Sequence, residues 1–177
     1  SPQKFPKLTG PYMGQTPPGA EPKLFAKGIV SKREGLYGTI AFSRDGLEAV
    51  WRPESNEGIL YMKSDDGIWR APQAFPPTAG AAATSFPSFS LDGWRIYFTA
   101  GRVGSSGMAE NEIIRFAEKT ENGWSEPKDF DAVVNSRGLH WQFSLDKAGN
   151  VYFNGPGGIN CARFANGQYL PPVPLPP

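Results

Sequence analysis

The chain has 177 residues, the length of one ordinary domain and enough for a sizeable hydrophobic core. Its 18 lysines and arginines nearly balance its 17 aspartates and glutamates, so no overall field attracts nucleic acid or an anionic membrane. A single cysteine, Cys161, excludes an intramolecular disulfide and a cysteine-based zinc site, and no apolar run is long enough to span a membrane.

Residues 1–20 are expected to form an extended N-terminal segment. The start, Ser1-Pro2-Gln3-Lys4, shows no signal peptide, which leaves the compartment open. An outer strand is predicted over 21–30, because Glu21-Pro22-Lys23-Leu24-Phe25 parallels the later Glu126-Pro127-Lys128-Asp129-Phe130. An outer strand lies at the edge of a sheet and follows the inner strands of that sheet. No such strands precede residues 21–30, so we expect an orphan outer strand there.

A repeated core divides the rest of the chain. The copies lie roughly 50 residues apart, close to the ~40–45 residues of a four-stranded propeller blade once a loop insertion is allowed. The aspartate side chain accepts a backbone N–H in the turn, and glycine supplies its positive φ. The three copies are Ala41-Phe42-Ser43-Arg44-Asp45-Gly46, Ser88-Phe89-Ser90-Leu91-Asp92-Gly93 and Gln142-Phe143-Ser144-Leu145-Asp146-Lys147.

Three further strands are predicted after each core. An aromatic strand comes first, then a third strand ending in a turn, and then a strand that begins with an aromatic residue and meets proline. Because proline cannot donate a hydrogen bond, the last is expected to be the outer edge strand. The aromatic strands begin at Leu47, Trp94 and Asn150, the third strands at Ile59, Glu112 and Ile159, and the proline-bearing strands at Trp69, Trp124 and Tyr169.

Phe-Ser-x-Asp-Gly followed by Ile-Tyr-Phe, and then by Gly-Trp-Ser-Glu-Pro, resembles the TolB-type WD-like β-propeller repeat over about 36–172. The resemblance implies an all-β fold of four-stranded antiparallel blades, here about 36–75, 85–130 and 138–172, followed by a Pro-rich tail at 173–177. It also suggests an extracytoplasmic location, periplasmic or secreted. Three blades and an orphan strand do not close a ring. We therefore expect part of a larger ring, with the missing blades supplied by the rest of a longer chain or by a second copy.

A candidate ligand site lies where the chain enters the inner strands, at the predicted channel mouth. The third copy is unusual there, because His140, the only histidine, stands beside Trp141 and Gln142. A titratable group, an aromatic platform and hydrogen-bonding side chains suit a polar ligand such as a saccharide or a peptide. The alternative is structural, with Trp141 packed between blades and His140 bonded to a neighbouring loop. The candidate residues are Phe86, Asn135, Arg137, His140, Trp141 and Gln142.

Asp45, Asp92 and Asp146 occupy the same turn in successive blades, so we expect turn-stabilising and not catalytic roles. Glu110 and Glu112 are predicted to be solvated charges at a strand end. No nucleophile elbow, metal-ligand cluster or phosphate loop is present in the sequence, and neither a metal nor a cofactor is expected.

The sequence favours a non-catalytic binding or protein-interaction module, since the predicted mouth has no carboxylate. The ligand would be a protein, a polar small molecule or a saccharide. The alternative is a hydrolase or lyase acting on a saccharide at the channel mouth, which needs an acid and a base within reach of one bond.

Overall fold

The computed structural model describes residues 5–17, 19–31, 40–53, 58–79, 84–103, 109–137, 140–155 and 157–176. Strands and turns make up these residues, and the only helical elements among them are short 3-10 turns at Pro11–Gly14, Pro76–Thr78 and Val134–Arg137. The predicted all-β class is confirmed.

Three successive antiparallel sheets of five, five and four strands form the blades in the described part of the chain, and a separate two-stranded sheet also forms in the third blade. Each blade has an inner, two middle and one outer strand, and the first two sheets include one additional short strand. The first has β1 (Ile40–Phe42), β2 (Glu48–Trp51), β3 (Leu60–Asp65), β4 (Ile68–Trp69) and β5 (Gln73–Ala74). The second has β6 (Thr84–Phe89), β7 (Arg95–Val103), β8 (Ala109–Thr120), β9 (Gly123–Trp124) and β10 (Lys128–Asp129). The third blade contains β11 (Phe143–Leu145), β12 (Val151–Gly155), β13 (Gly158–Ala162), β14 (Phe164–Ala165), β15 (Gln168–Tyr169) and β16 (Val173–Pro174).

The outer strand of each blade differs from the prediction. The aromatic dipeptides form the short strands β4, β9 and β15, each of which closes a tight hairpin with the segment just before it. The outer strands β5, β10 and β16 begin only after the proline and pair with β3, β8 and β13. Because proline has no N–H to donate, it separates the two pairings.

The C-terminal tail is therefore part of the third blade. Val173 pairs with Cys161 and Pro174 with Asn160, so residues 173–174 are an outer strand and not a free tail. The N–H of Leu175 continues the pairing by donating to the carbonyl of Ile159 at 2.8 Å.

The predicted orphan strand at 21–30 is also wrong. Instead of pairing with a sheet, Ala26 and Leu24 bind the side-chain amide of Gln15, and Lys27 forms an isolated bridge with Ser31. The N-terminal segment packs on the first blade, where Met13 is buried. Apart from an isolated antiparallel bridge between Thr9 and Ile68, the described part of this segment covers a face of the sheet as a loop.

Blade packing follows the two-residue alternation of the strands. One face of the first blade, with Ala49, Trp51 and Met62, contacts the N-terminal segment. Its other face packs on the second blade through a cluster of Val50, Ile59, Tyr61, Phe75, Ile96, Phe98 and Ala117. The second blade meets the third through Tyr97, Ile114, Val134, Val151, Phe153 and Ala162.

Candidate functional site

His140 is not available to a ligand. The side chain is fully buried, and its ring lies 4.4 Å from the ring of Phe153, measured between centroids. Nδ1 lies 3.0 Å from the carbonyl oxygen of Glu112, and Nε2 lies 3.0 Å from that of Val134. Carbonyl oxygens only accept, so both contacts are hydrogen bonds only when both ring nitrogens carry protons. The structural role that was the alternative for His140 is the one observed. His140 is therefore excluded from the candidate ligand-binding residues.

Trp141 and Gln142 lie at the start of the inner strand, but not in the predicted arrangement. Trp141 is 50% exposed and is not packed between blades. Gln142 is exposed, and its carbonyl accepts the N–H of Asn154 at 2.9 Å. Ligand binding by these two side chains remains a prediction.

Asn135 and Arg137 bind other strands of the fold. The Asn135 side chain accepts the N–H of Ile114 at 2.9 Å and donates to its carbonyl at 3.0 Å, imitating a backbone partner on the third strand of the second blade. Arg137 donates to the carbonyl of Pro172, next to the outer strand of the third blade. Gln142 bonds through its backbone carbonyl just before the inner strand of the third blade. Asn135, Arg137 and Gln142 therefore bind three different parts of the sheets.

Phe86 lies in a β-bulge of the second blade's inner strand. The register shifts between Ser85 and Ser88, and Phe86 has a φ of 49°. Pro87 cannot donate to the ladder, which accounts for a bulge at this position. Phe86 is half-buried. Among the described interactions, none links Phe86 to Trp141 or Gln142 of the third blade.

Glu112 is a functional candidate that sequence reasoning missed. It is buried and not solvated, and its Oε1 accepts the Thr99 hydroxyl at 2.8 Å. Burial raises the pKa of Glu112, while the Thr99 hydroxyl, the charge of Arg52 and the backbone N–H of His140 oppose the rise. Its Oε2 is buried and has no hydrogen-bond partner among the described residues. The burial of Glu112 could have been predicted from the alternation of side chains along a strand. Glu112 lies two residues before buried Ile114 and therefore on the same side of the strand.

The turn aspartates have the predicted local geometry. Asp45 Oδ1 accepts the Ser43 hydroxyl and the Leu47 N–H, and Asp92 Oδ1 accepts the Ser90 hydroxyl and the Trp94 N–H. These bonds, with the serine hydroxyl first, lower the pKa of both aspartates. In the longer third turn, Asp146 accepts the side-chain amide of Asn150 at 2.8 Å and the backbone N–H groups of Asn150 and Ala148, and these bonds also lower its pKa.

The described residues contain neither a metal-ligand cluster nor a membrane-spanning helix. Three or more histidine, cysteine, aspartate or glutamate side chains that could hold a metal ion together do not occur there. Likewise, none of the helical elements of the described chain is long and apolar enough to cross a membrane.

Comparison with known proteins leaves the family of this chain open. No protein-family model matches the sequence, and no curated protein matches it. One similar solved structure is a provisionally named 6-phosphogluconolactonase from Bacteroides uniformis, with 15% identity and a TM-score of 0.46 over 74% of this chain and 37% of that one. Another, of the same provisional name from Bacteroides fragilis, has 14% identity and a TM-score of 0.47 over 75% and 36% of the two chains. The chain thus spans little more than a third of the length of these structures.

Proposed function

We propose that this chain is a non-catalytic binding and protein-interaction module built from TolB-type WD-like propeller blades. In this proposal the third blade binds a further blade, supplied by the rest of a longer chain or by a second copy. The observation that carries the proposal is an isoleucine that recurs at one position of all three blades and is buried in two of them.

The three isoleucines are related by backbone pairing. The carbonyls of Ile59, Ile114 and Ile159 accept the N–H of Phe75, Phe130 and Leu175, respectively, at 2.8–2.9 Å. Ile59 is 1% exposed and Ile114 0%, because the following blade covers each. Ile159 is 56% exposed, and no described segment packs on it.

Neighbouring side chains extend this uncovered face of the third blade. Val173 of the outer strand and Leu175 just after it are exposed, and Tyr152 lies half-buried across from Cys161. In the preceding blades the matching face is closed by apolar contacts with the next sheet. Burying a fully exposed isoleucine side chain stabilises a protein by about 1.5–3 kcal/mol, so covering the exposed part of Ile159 and its neighbours favours association with another sheet.

The opposite end of the array does not offer an equivalent bare sheet. The N-terminal segment packs there, with Phe25 edge-on to Phe42 at 5.9 Å between ring centroids. The face of the first blade is therefore covered, whereas the equivalent apolar face of the third blade is available to a further sheet.

The test is the association of the 177-residue chain, measured by sedimentation velocity over a range of concentrations. We expect the wild type to associate, because its third blade has no following sheet, and Ile159→Lys to remain monomeric. Leu24→Lys is the matched control, since it places the same charge at an exposed apolar position of the N-terminal segment and should associate like the wild type. An Ile159→Lys variant that associates as the wild type does contradicts the proposal, and a wild type that stays monomeric at every concentration rules out a second copy as the source of the further blade.

A saccharide hydrolase or lyase is the second candidate, and Glu112 is the observation in its favour. A buried carboxyl with a raised pKa is suited to act as a general acid. The test is turnover of a panel of glycosides and sugar lactones. An enzyme would lose its activity in Glu112→Gln at an unchanged melting temperature, whereas the binding module shows no turnover in either protein.

A further inference from the structure

A cavity opens between the Ser-x-Asp turns of the first and second blades, at the end opposite the predicted channel mouth. Its volume is about 510 Å³, within the size range of small-molecule sites. The side chains that matter for the inference are Arg44, Asp45, Glu48, Asp92, Trp94 and Lys119.

Trp94 is the side chain that distinguishes this cavity from the equivalent regions of the other blades. Its ring is 63% exposed although its backbone is fixed by bonds to Asp92 and Lys119. The equivalent position in the first blade is Leu47. The cavity of about 380 Å³ between the second and third turns has no tryptophan in its described lining. A large flat apolar ring that is not needed for packing is available to a ligand.

The polar groups around Trp94 are held in place before any ligand arrives. Glu48 accepts the Tyr61 hydroxyl at 2.6 Å and the Lys119 ammonium at 2.8 Å, which joins the two blades. Asp45 and Asp92 are oriented by their serine hydroxyls. Fixed groups of this kind reduce the entropy lost on binding.

The mixture of charges indicates which ligand fits. Asp45 and Asp92 only accept hydrogen bonds when ionised, whereas Arg44 and Lys119 only donate them. The two basic side chains would repel a cationic ligand, and the carboxylates would repel an anionic ligand. Hydroxyl groups both donate and accept, so they match both sets without a net charge.

We propose that this cavity binds a neutral saccharide, with the sugar ring stacked on Trp94 and its hydroxyls bonded to Asp45, Asp92 and Lys119. This site is independent of the uncovered face of the third blade. Ile159→Lys should therefore bind the sugar as the wild type does, which separates a failure of this site from a failure of the assembly proposal.

The experiment titrates the protein with maltose and cellobiose at up to about 10 mM, followed by calorimetry. Glucosamine, glucose 6-phosphate and N-acetyl-Ala-Ala-amide are the cationic, anionic and peptide comparisons. We expect a neutral disaccharide to bind more tightly than these three, and Trp94→Ala to weaken its binding about tenfold or more.

Leu24→Ala is the control, because it removes an exposed apolar side chain of the N-terminal segment that does not line this cavity, and it should leave sugar binding unchanged. Since Trp94 is exposed, its removal should also leave the melting temperature unchanged. The proposal is overturned if neither disaccharide binds, if Trp94→Ala binds as the wild type does, or if a charged compound or the peptide binds more tightly.

Discussion

Asp92 shows how one side chain fixes a turn. Its Oδ1 accepts two hydrogen bonds, and the turn also needs Gly93, whose φ is 77°. We predict that Asp92→Ala lowers the free energy of unfolding by about 1 kcal/mol, as measured by urea denaturation. Glu121→Ala, in an exposed turn, should change it by less than about 0.5 kcal/mol. Equal stability of Asp92→Ala and the wild type would contradict the turn role.

This effect should depend on pH in a definite direction. The pKa of Asp92 is lower in the folded chain than in the unfolded one, because the ionised carboxylate accepts the Ser90 hydroxyl. The carboxylate therefore stabilises the fold above the ordinary aspartate pKa, and this contribution is lost as the pH falls through the lowered value. The difference in stability between wild type and Asp92→Ala should be constant near neutrality and shrink in acid.

His140 and Trp141 are adjacent residues with opposite environments. His140→Ala removes a fully buried ring whose two nitrogens each lie 3.0 Å from a backbone carbonyl oxygen, so we predict a loss of about 2 kcal/mol or more in the free energy of unfolding. Trp141→Ala removes a half-exposed side chain and should cost clearly less. Thermal denaturation of the two variants provides the comparison, and a more stable His140→Ala than Trp141→Ala would refute the buried role of the histidine.

At the scale of elements, features fixed by local chemistry could be predicted and those fixed by distant partners could not. The Phe-Ser-x-Asp-Gly turn needs only neighbouring residues, and its three copies place the inner hairpins correctly. His140 depends on backbone carbonyls of Glu112 and Val134, which no sequence pattern reveals. The Glu-Pro-Lys-Leu-Phe segment led to the wrong prediction of an outer strand, because an outer strand forms only where a third strand lies beside it.

The tail strand β16 allows a prediction at this scale. Cys161 is buried and pairs with Val173. Removing residues 171–177 should turn β13 into an edge strand and increase the rate of reaction of Cys161 with a thiol reagent by roughly tenfold or more, through local opening. If residues 171–177 were an unpacked extension, the truncated and full-length chains would react at the same rate.

At the scale of the whole molecule, three blades present one covered and one uncovered end. The sequence repeat predicted that the blades would not close a ring, but the face left uncovered could be identified only from the exposures of equivalent residues. Ile159 has the same residue type and backbone pairing as Ile59 and Ile114, and it differs from them in that no described segment packs on it.

The most direct test of this account is hydroxyl-radical footprinting of the wild-type chain at low and high concentration, read out by mass spectrometry. We predict that oxidation of Ile159 and Leu175 falls several-fold as the chain associates, while oxidation of exposed Leu24 and Trp94 stays constant. Association that leaves Ile159 and Leu175 as reactive as in the monomer would contradict the claim that the third blade binds another blade.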